Sequence, residues 1–371
     1  MTKKKIGVGI IGAGPDRGWA SDAHIPALRA LPDFEFVALS TSRRESAQAA
    51  SALFNVPLAY DNATDLVSRP EVDVVAVTVK VPFHLELVTA AINAGKAVYC
   101  EWPLGNGVAE AEKMVALLRQ RGVYGAVGLQ ARSAPVIRYV RDLVAQGFVG
   151  EVLSSSIVAS AINWGADIIT PYIYLLDKKN GATMLTIPFG HTVDAFCWCL
   201  GEFRDLTATF ATRRPQVHLV GAEQMLSSNV ADQVAVSGTL QNGAVASIHF
   251  RGGLSKATNF LWEINGTEGD LLVTADGGHI QMLPHQLKGA RKTDAALVDM
   301  PVPESYKTQG IHLPDGPAAS IARVYIKLAG DLRNGTQTLP SFEDGLIRHR
   351  MIEAITNAAE TGVRQSYKST L

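Results

Sequence analysis

At 371 residues the chain exceeds the length at which one hydrophobic core usually stops growing, so two domains are expected. Hydrophobic residues make up 47% and charged residues 19%, which suits large packed cores and excludes a disordered chain. A formal net charge of −1 gives no pull toward nucleic acid or an anionic membrane surface, and no stretch of about 18 uninterrupted apolar residues exists to span a bilayer.

Met1-Thr2-Lys3-Lys4-Lys5 before an apolar run imitates a secretory signal, but glycines interrupt the run and Pro15-Asp16-Arg17 ends it early, so a cytoplasmic start is the reading. Val8, Ile10 and Ile11 are what a strand covered on both faces carries, as at the centre of a parallel sheet. Gly12 and Gly14 then turn the backbone tightly enough to pass close to a pyrophosphate at the next helix N-terminus. The third glycine is out of register: Arg17 occupies its position and Gly18 follows. Gly12, Gly14, Pro15, Arg17, Gly18 and Trp19 are the candidate cofactor contacts of this turn, and residues 16–19 form an enlarged loop expected to lie over a dinucleotide. The helix opening at residues 19–28 contains Pro26 and is expected to bend or start late; His24 within it reads as a helix-start contact to backbone.

Residues 34–39 read as a second strand ending in Ser40-Thr41-Ser42-Arg43-Arg44. An acid at that point would bond the ribose 2′-hydroxyl of NAD, whereas Ser, Thr and Arg accept the 2′-phosphate of NADP, so Thr41, Ser42 and Arg43 lean toward NADP. Arg43 and Arg44 read equally well as a solvated helix start. Residues 72–78 make a third, β-branched strand, and Lys80-Val81-Pro82-Phe83-His84 turns from its ligand edge into a helix. Residues 96–100 form the next strand, left by Glu101-Trp102-Pro103, followed by a helix at 108–121 and a strand at 124–129. Strand and helix alternating at this pitch mean parallel strands with right-handed crossovers.

Past a boundary near residue 130 the pattern changes. Strands at 152–159, 207–212, 232–240, 244–251 and 259–265, joined by turns such as Gln241-Asn242-Gly243, indicate a mainly antiparallel sheet with a helix at 190–200. Residues 276–278 and 301–317 read as loops, and helices at 318–334 and 343–362 close the chain. The expected organisation is a dinucleotide-binding domain at 1–130 and a substrate and oligomerisation domain at 131–371, the last helices packing back toward the first domain. Cys100, Cys197 and Cys199 lie in apolar surroundings as reduced, buried thiols, and Cys197-Trp198-Cys199 lacks the partner spacing of a zinc site, so no metal is expected.

Six stretches occur in order: Gly12-Ala13-Gly14, Pro82-Phe83-His84, Ala94-Gly95-Lys96 leading to Glu101-Trp102-Pro103, Phe189-Gly190-His191-Thr192-Val193-Asp194, Asn265-Gly266-Thr267-Glu268-Gly269, and Pro340-Ser341-Phe342-Glu343-Asp344. Together they resemble the Gfo/Idh/MocA family of nicotinamide-dependent sugar and polyol oxidoreductases. The resemblance implies a Rossmann domain followed by an α+β domain with an open, mainly antiparallel sheet. It also implies a sugar or glycoside bound over the nicotinamide between the domains, and a homo-dimer or tetramer formed through that sheet. Members usually carry Glu-Lys-Pro where this chain has Glu101-Trp102-Pro103, and an Asp four residues before the catalytic His where this chain has Ile187. The residues 15–20 insertion, the Glu-Trp pair and Ile187-Pro188-Phe189-Gly190-His191-Thr192 are most similar to the yeast galactose-regulon repressor subgroup, which binds NAD(P) as a sensor.

His191 is the candidate general base, since a carbinol losing hydride needs a base near neutral pKa within hydrogen-bond reach. Glu101, a further catalytic candidate, is placed near the cofactor by the resemblance, with Val81, Pro82, His84 and Trp102 as further cofactor contacts. Trp102 cannot supply a proton but offers a flat face and one N–H donor. Tyr172 and Tyr174 are candidates to orient the hydroxyl, and Lys80, Arg132, Trp164 and Asp194 complete the substrate candidates with Trp102 and His191; each reads equally as surface or packing. The basic pairs Arg43-Arg44, Lys178-Lys179 and Arg213-Arg214 are too scattered for a nucleic-acid surface. Three functions stand: a sugar dehydrogenase, a glycoside-cleaving enzyme that oxidises a ring hydroxyl transiently, and a cofactor-binding regulator without turnover.

Overall fold

Ile6–Ile11 (β1) is buried along its whole length, as a strand flanked by neighbours and covered on both faces must be. It belongs to a computed structural model that describes residues 4–16, 18–307 and 312–369; the cofactor candidate Arg17 and part of the expected loop at 301–317 lie outside the described residues. β1 pairs in parallel with Phe34–Ser40 (β2) and Val74–Val77 (β4). Leu58–Tyr60 (β3), Ala97–Glu101 (β5) and Gly125–Gly128 (β6) complete a six-stranded sheet in the order β3-β2-β1-β4-β5-β6. The order reverses between β1 and β4, and at such a switch point the loops leaving the carboxyl ends of the strands diverge and open a crevice.

The helices Ile25–Ala30 (α1), Arg44–Phe54 (α2), Ala63–Val67 (α3), His84–Asn93 (α4) and Val108–Arg121 (α5) alternate with these strands. The sequence reading passed over α2, α3 and β3 and so took β4 for the third strand. β3 is three half-buried residues at the sheet edge, too short to show a period. Pro26 does not break the helix it enters: a π turn, Ala20–His24, precedes α1, and the proline sits in the first α turn, where a missing N–H forfeits no bond.

By internal contacts the chain divides into two units, Met1–Gln130 with Gln309–Leu346, and Ala131–Thr308 with Ile347–Leu371. Residues 309–346 therefore count with the first unit and interrupt the second. In the second unit Pro135–Ala145 (α6) and Gly190–Leu200 (α7) accompany an eight-stranded sheet. Its strands are Val152–Ala161 (β7), Phe203–Ala211 (β9), Gln233–Leu240 (β12), Val245–Gly252 (β13), Phe260–Gly266 (β14), Gly269–Thr274 (β15), Gln286–Arg291 (β16) and Val298–Asp299 (β17). The order is β17-β16-β15-β14-β7-β13-β12-β9, with β7 and β13 parallel and every other pair antiparallel. Asp167–Ile168 (β8), Gln216–Leu219 (β10) and Met225–Ser227 (β11) make a separate small sheet. Along β13, Ala246, Ile248 and Phe250 are buried while Val245, Ser247 and His249 are exposed, the alternation of a sheet with one covered face.

Pro317–Asn334 (α8) and the start of Phe342–Thr361 (α9) close the first unit. Buried Asp331 accepts from the Tyr124 hydroxyl at 2.8 Å and from the amides of Thr338 and Leu339, and the Val127 amide donates to the Pro340 carbonyl at 2.9 Å. These bonds fix the returning segment along the β6 edge. Cys100, Cys197 and Cys199 are free and buried, and among the described residues no cluster of three metal-ligating side chains occurs and no helix is long and apolar enough to cross a membrane.

Candidate functional site

At the carboxyl edge of the first sheet, Gly12 has φ +101°, and a Cβ there would sit 2.8 Å from the Val79 side chain, so only glycine makes this turn without strain. Its amide donates to the Ser40 carbonyl at 2.9 Å, locking the end of β1 to the end of β2. A Cβ on Gly14 or Gly18 would meet nothing within 4 Å, so the backbone faces open space there, a cradle that fits the close approach of a dinucleotide phosphate. The Gly18 amide itself is engaged by the Ser21 hydroxyl at 2.9 Å, and Trp19 packs half-buried against the first unit's core. The apolar indole is drawn there because the helical backbone already begins at this residue.

Thr41, at the end of β2, turns its hydroxyl inward to the Arg43 carbonyl at 2.8 Å and to Ser46 at 2.7 Å, closing the turn that starts α2, while Ser42 and Arg43 are exposed. Lys80 and Pro82 are exposed on the turn after β4, and Val81 is buried. His84 is buried with Nδ1 2.8 Å from the Pro103 carbonyl and Nε2 3.0 Å from the Val79 carbonyl; burial depresses its pKa. The ring thus clamps the two turns beside it.

Glu101 ends β5 with its carboxylate held on both oxygens. His24 Nε2 lies 2.8 Å from Oε1, and the Gln130 side-chain amide donates to Oε2 at 2.7 Å. The other nitrogen of His24, Nδ1, lies 2.8 Å from the Tyr325 hydroxyl of α8. Burial and the nearby Glu101 carboxylate raise the Tyr325 pKa well above its ordinary value, so that hydroxyl keeps its proton, and because the Glu101 carboxylate can only accept, it calls for a donor on the Nε2 side of the ring. The imidazole then carries its own proton on Nε2, toward Glu101. His24 is therefore not the backbone contact expected from its place in the helix but the middle of a buried Glu-His-Tyr chain. The next residue, Trp102, is buried and joined to Pro103 by a cis peptide bond.

In the second unit His191 does not begin its helix. A π turn, Leu185–Phe189 with Pro188 inside it, runs directly into α7, so the expected free helix start is replaced by continuous helical backbone. His191 is 4% exposed, and its Nδ1 is buried with no hydrogen-bond partner among the described residues; burial, with His279 nearby, lowers its pKa to about 3. The hydroxyl of the adjacent Thr192 is likewise buried without a partner.

Asp194, one turn further along α7, is fully buried and takes Arg132 in a two-point fork at 2.6 and 2.9 Å, with the Arg348 Nε at 3.6 Å. Arg348 also pairs with Glu202, which accepts from the Tyr367 hydroxyl. Asp194 and Arg132 are thus partners of one another, because a buried carboxylate requires a counter-charge. Trp164 is buried, its indole N–H donating to the Leu175 carbonyl at 3.2 Å, and it holds φ +63°, a left-handed conformation that a bulky side chain adopts only under surrounding constraint. Tyr172 is exposed and Tyr174 half-buried, both in the short 3-10 run Thr170–Leu176 that Trp164 holds; burial raises the Tyr174 pKa.

The first unit thus holds Gly12, Gly14, Pro15, Gly18, Trp19, Thr41, Ser42, Arg43, Lys80, Val81, Pro82, His84, Glu101 and Trp102, and the second holds Arg132, Trp164, Tyr172, Tyr174, His191 and Asp194. Sequence reasoning missed Tyr325, Gln130 and His279, and misread His24. Tyr325 and His24 are 301 positions apart, beyond any local pattern.

Residues 6–129 match the family model described as an oxidoreductase family with an NAD-binding Rossmann fold, and residues 135–275 match that of the Gal80p C-terminal domain. The chain is 28% identical over 380 residues to the dehydrogenase aclE of Aspergillus oryzae, covering 98% of this chain and 99% of the relative. It is 27% identical over 400 residues to the galactose/lactose metabolism regulatory protein GAL80 of Saccharomyces cerevisiae, covering 94% and 92%, and a super-repressor mutant of Gal80p superposes with a TM-score of 0.89 at 24% identity over 98% of each chain. A levoglucosan dehydrogenase of Pseudarthrobacter phenanthrenivorans is 25% identical over 291 residues, 72% of this chain and 73% of the relative. The structure of a levoglucosan dehydrogenase with NADH and levoglucosan superposes with a TM-score of 0.85 at 22% identity, over 99% and 100% of the chains.

Proposed function

We propose that this chain, which belongs to the Gfo/Idh/MocA family of NAD-binding oxidoreductases, is an NAD(P)-dependent enzyme that oxidises a ring carbinol of a sugar or sugar derivative. The observation that carries the reading is the His191 ring: buried, neutral and with Nδ1 unpartnered among the described residues. An unsatisfied buried nitrogen is costly, and a protein retains such a group where a ligand completes it. A substrate hydroxyl would donate to the unprotonated imidazole, and for that ring to take the proton as hydride leaves carbon, bound substrate and cofactor would have to bring its pKa back toward neutrality. Bound NAD(P) supplies the hydride acceptor.

Gly12 and Gly14 would admit the pyrophosphate, and the carboxylate of Glu101, fixed by His24 and Gln130, would hold its place beside the ring that receives hydride. No acid follows β2, and exposed Ser42 and Arg43 there favour NADP over NAD. Trp102 would stack on the sugar or the nicotinamide where relatives place a lysine. The levoglucosan dehydrogenase and the dehydrogenase aclE support the enzymatic reading.

A second reading, a cofactor-binding regulator without turnover, is favoured by the match of residues 135–275 to the Gal80p C-terminal domain and by Trp102 and Ile187, neither of which can exchange a proton. Incubating the purified protein with NAD or NADP and a panel of sugars and aryl glycosides separates the possibilities. Reduced cofactor absorbing at long wavelength supports the dehydrogenase, and aglycone release without net reduction supports transient ring oxidation. Cofactor binding with neither supports the regulator. Under the enzymatic reading His191→Ala lowers kcat about 100-fold or more; a variant within about threefold of the parent sinks the assignment of His191 as base.

A further inference from the structure

Three elements of the second unit converge near His191. Phe189, two residues before it, meets Phe250 of β13 edge-on with ring centroids 5.6 Å apart. Gly278 comes down on that same phenylalanine: a Cβ there would lie 2.9 Å from the Phe250 ring, and the Gly278 amide is tied to the Ser160 carbonyl of β7 at 2.8 Å. The following residue is His279, 5% exposed.

The backbone amide of Ile162 donates to His279 Nε2 at 3.2 Å. An accepting imidazole nitrogen carries no proton. Burial pushes the His279 pKa down to about 4, so the ring is neutral and its one proton resides on Nδ1. His279 is thereby a donor of fixed direction, close enough to His191 to help lower that ring's pKa, and the Nδ1 of His191 has no partner among the described residues.

We propose that His279 is a second ligand-binding residue of this site, its Nδ1–H donating to an oxygen of the same uncharged polyol whose hydroxyl meets His191. The inference rests on the reading of His191 given above and adds to it a second ligand contact that favours an uncharged ligand. Two neutral rings match hydroxyl and carbonyl oxygens, which carry no formal charge, whereas a carboxylate or phosphate calls for a cation. The guanidinium of Arg132 on α6's approach is committed to Asp194, and that of Arg348 to Asp194 and Glu202. A sugar acid or sugar phosphate would meet neither of those charges uncompensated.

Two substitutions separate ligand binding from support of the fold. His279→Gln puts an acceptor oxygen near the position of Nε2, retaining the Ile162 bond, and removes the donor at Nδ1. His279→Asn does the reverse. The full chain, labelled with 15N at histidine and saturated with NADP, is followed by long-range 1H–15N spectra while D-glucose, D-galactose, myo-inositol, D-glucuronate and glucose 6-phosphate are added. The expected result is His279 protonated at Nδ1, with at least one neutral probe shifting both His191 and His279. His279→Gln then weakens binding of that probe about tenfold, and His279→Asn stays within about threefold of the parent, as one neutral hydrogen bond warrants.

Protonation at Nε2, a response to the charged probes alone, no response at either ring, or unchanged affinity in His279→Gln would overturn the proposal. The two readings fail separately. If His191→Ala retains turnover, the base assignment falls while the tautomer and affinity results at His279 stand. If His191→Ala is inactive and His279→Gln binds neutral sugars as the parent does, only the present inference falls.

Discussion

His24 and His191 are both buried and both lie at or just after a π turn, yet they are opposite cases. His24 has each nitrogen matched, one to the carboxylate of Glu101 and one to the hydroxyl of Tyr325. His191 has Nδ1 buried with no partner among the described residues. Burial therefore does not distinguish the two histidines; hydrogen-bond satisfaction does. The two turns differ as well: Pro188 sits inside the second, whereas the first is free of proline and Pro26 lies beyond it at the start of α1.

Replacing each histidine by leucine breaks or upholds that contrast most directly. His24→Leu strands the Oε1 of Glu101 and the Tyr325 hydroxyl in the core, and removing one partner of a buried ionic contact costs about 3 kcal/mol or more. His191→Leu deletes a polar atom that had no partner, so its stability should equal or exceed that of the parent within about 1 kcal/mol. Urea denaturation at pH 7.5 measures both. Equal losses from the two substitutions would show that the hydrogen bonds of His24 add nothing to its packing.

Only part of this contrast was legible in the sequence. The glycine turn after β1 was, because Gly12 at φ +101° leaves a residue type that no other can replace there. His191 was legible through its motif, although the free helix start expected for it was not what Pro188 produced. The Glu101–His24–Tyr325 chain was invisible because its members are 77 and 301 positions apart and only the fold brings them together. The same holds for Arg132 and Asp194, 62 positions apart, each of which alone looked available to a substrate. Trp164 at φ +63° shows the converse: no glycine or asparagine marked the strained position.

Acid titration sharpens the comparison next. The folded-state pKa of His191, about 3, lies below the ordinary value of 6.5, so the folded protein resists a proton that the unfolded chain accepts. Its contribution is fully present above pH 6.5 and is lost as pH falls from there toward about 3. Within that window the parent should lose about 1.4 kcal/mol per pH unit more than His191→Leu, one proton's worth. His279 and His285, both lowered to about 4 by burial, steepen the acid loss in parent and variant alike, so the difference isolates His191. Parallel stability curves between pH 6 and pH 4.5 would mean that the His191 ring reaches solvent.

The smallest effect tests the assignment of the proton along the satisfied chain. Tyr325→Phe removes one hydroxyl and leaves the ring in its place among Phe34, Tyr99 and His24. If Tyr325 donates to His24 Nδ1, the loss is one hydrogen bond plus a nitrogen left bare in the core, about 1 to 2 kcal/mol. The variant's His24 then resembles His191: one nitrogen engaged by Glu101, the other without a partner. Its Nε2–H should nonetheless remain, because the Glu101 carboxylate still needs a donor on Oε1. A 15N-histidine spectrum reads this directly. If the proton moves to Nδ1 when the tyrosine hydroxyl is gone, then Tyr325 and not Glu101 sets the tautomer, and the carboxylate is held by Gln130 alone.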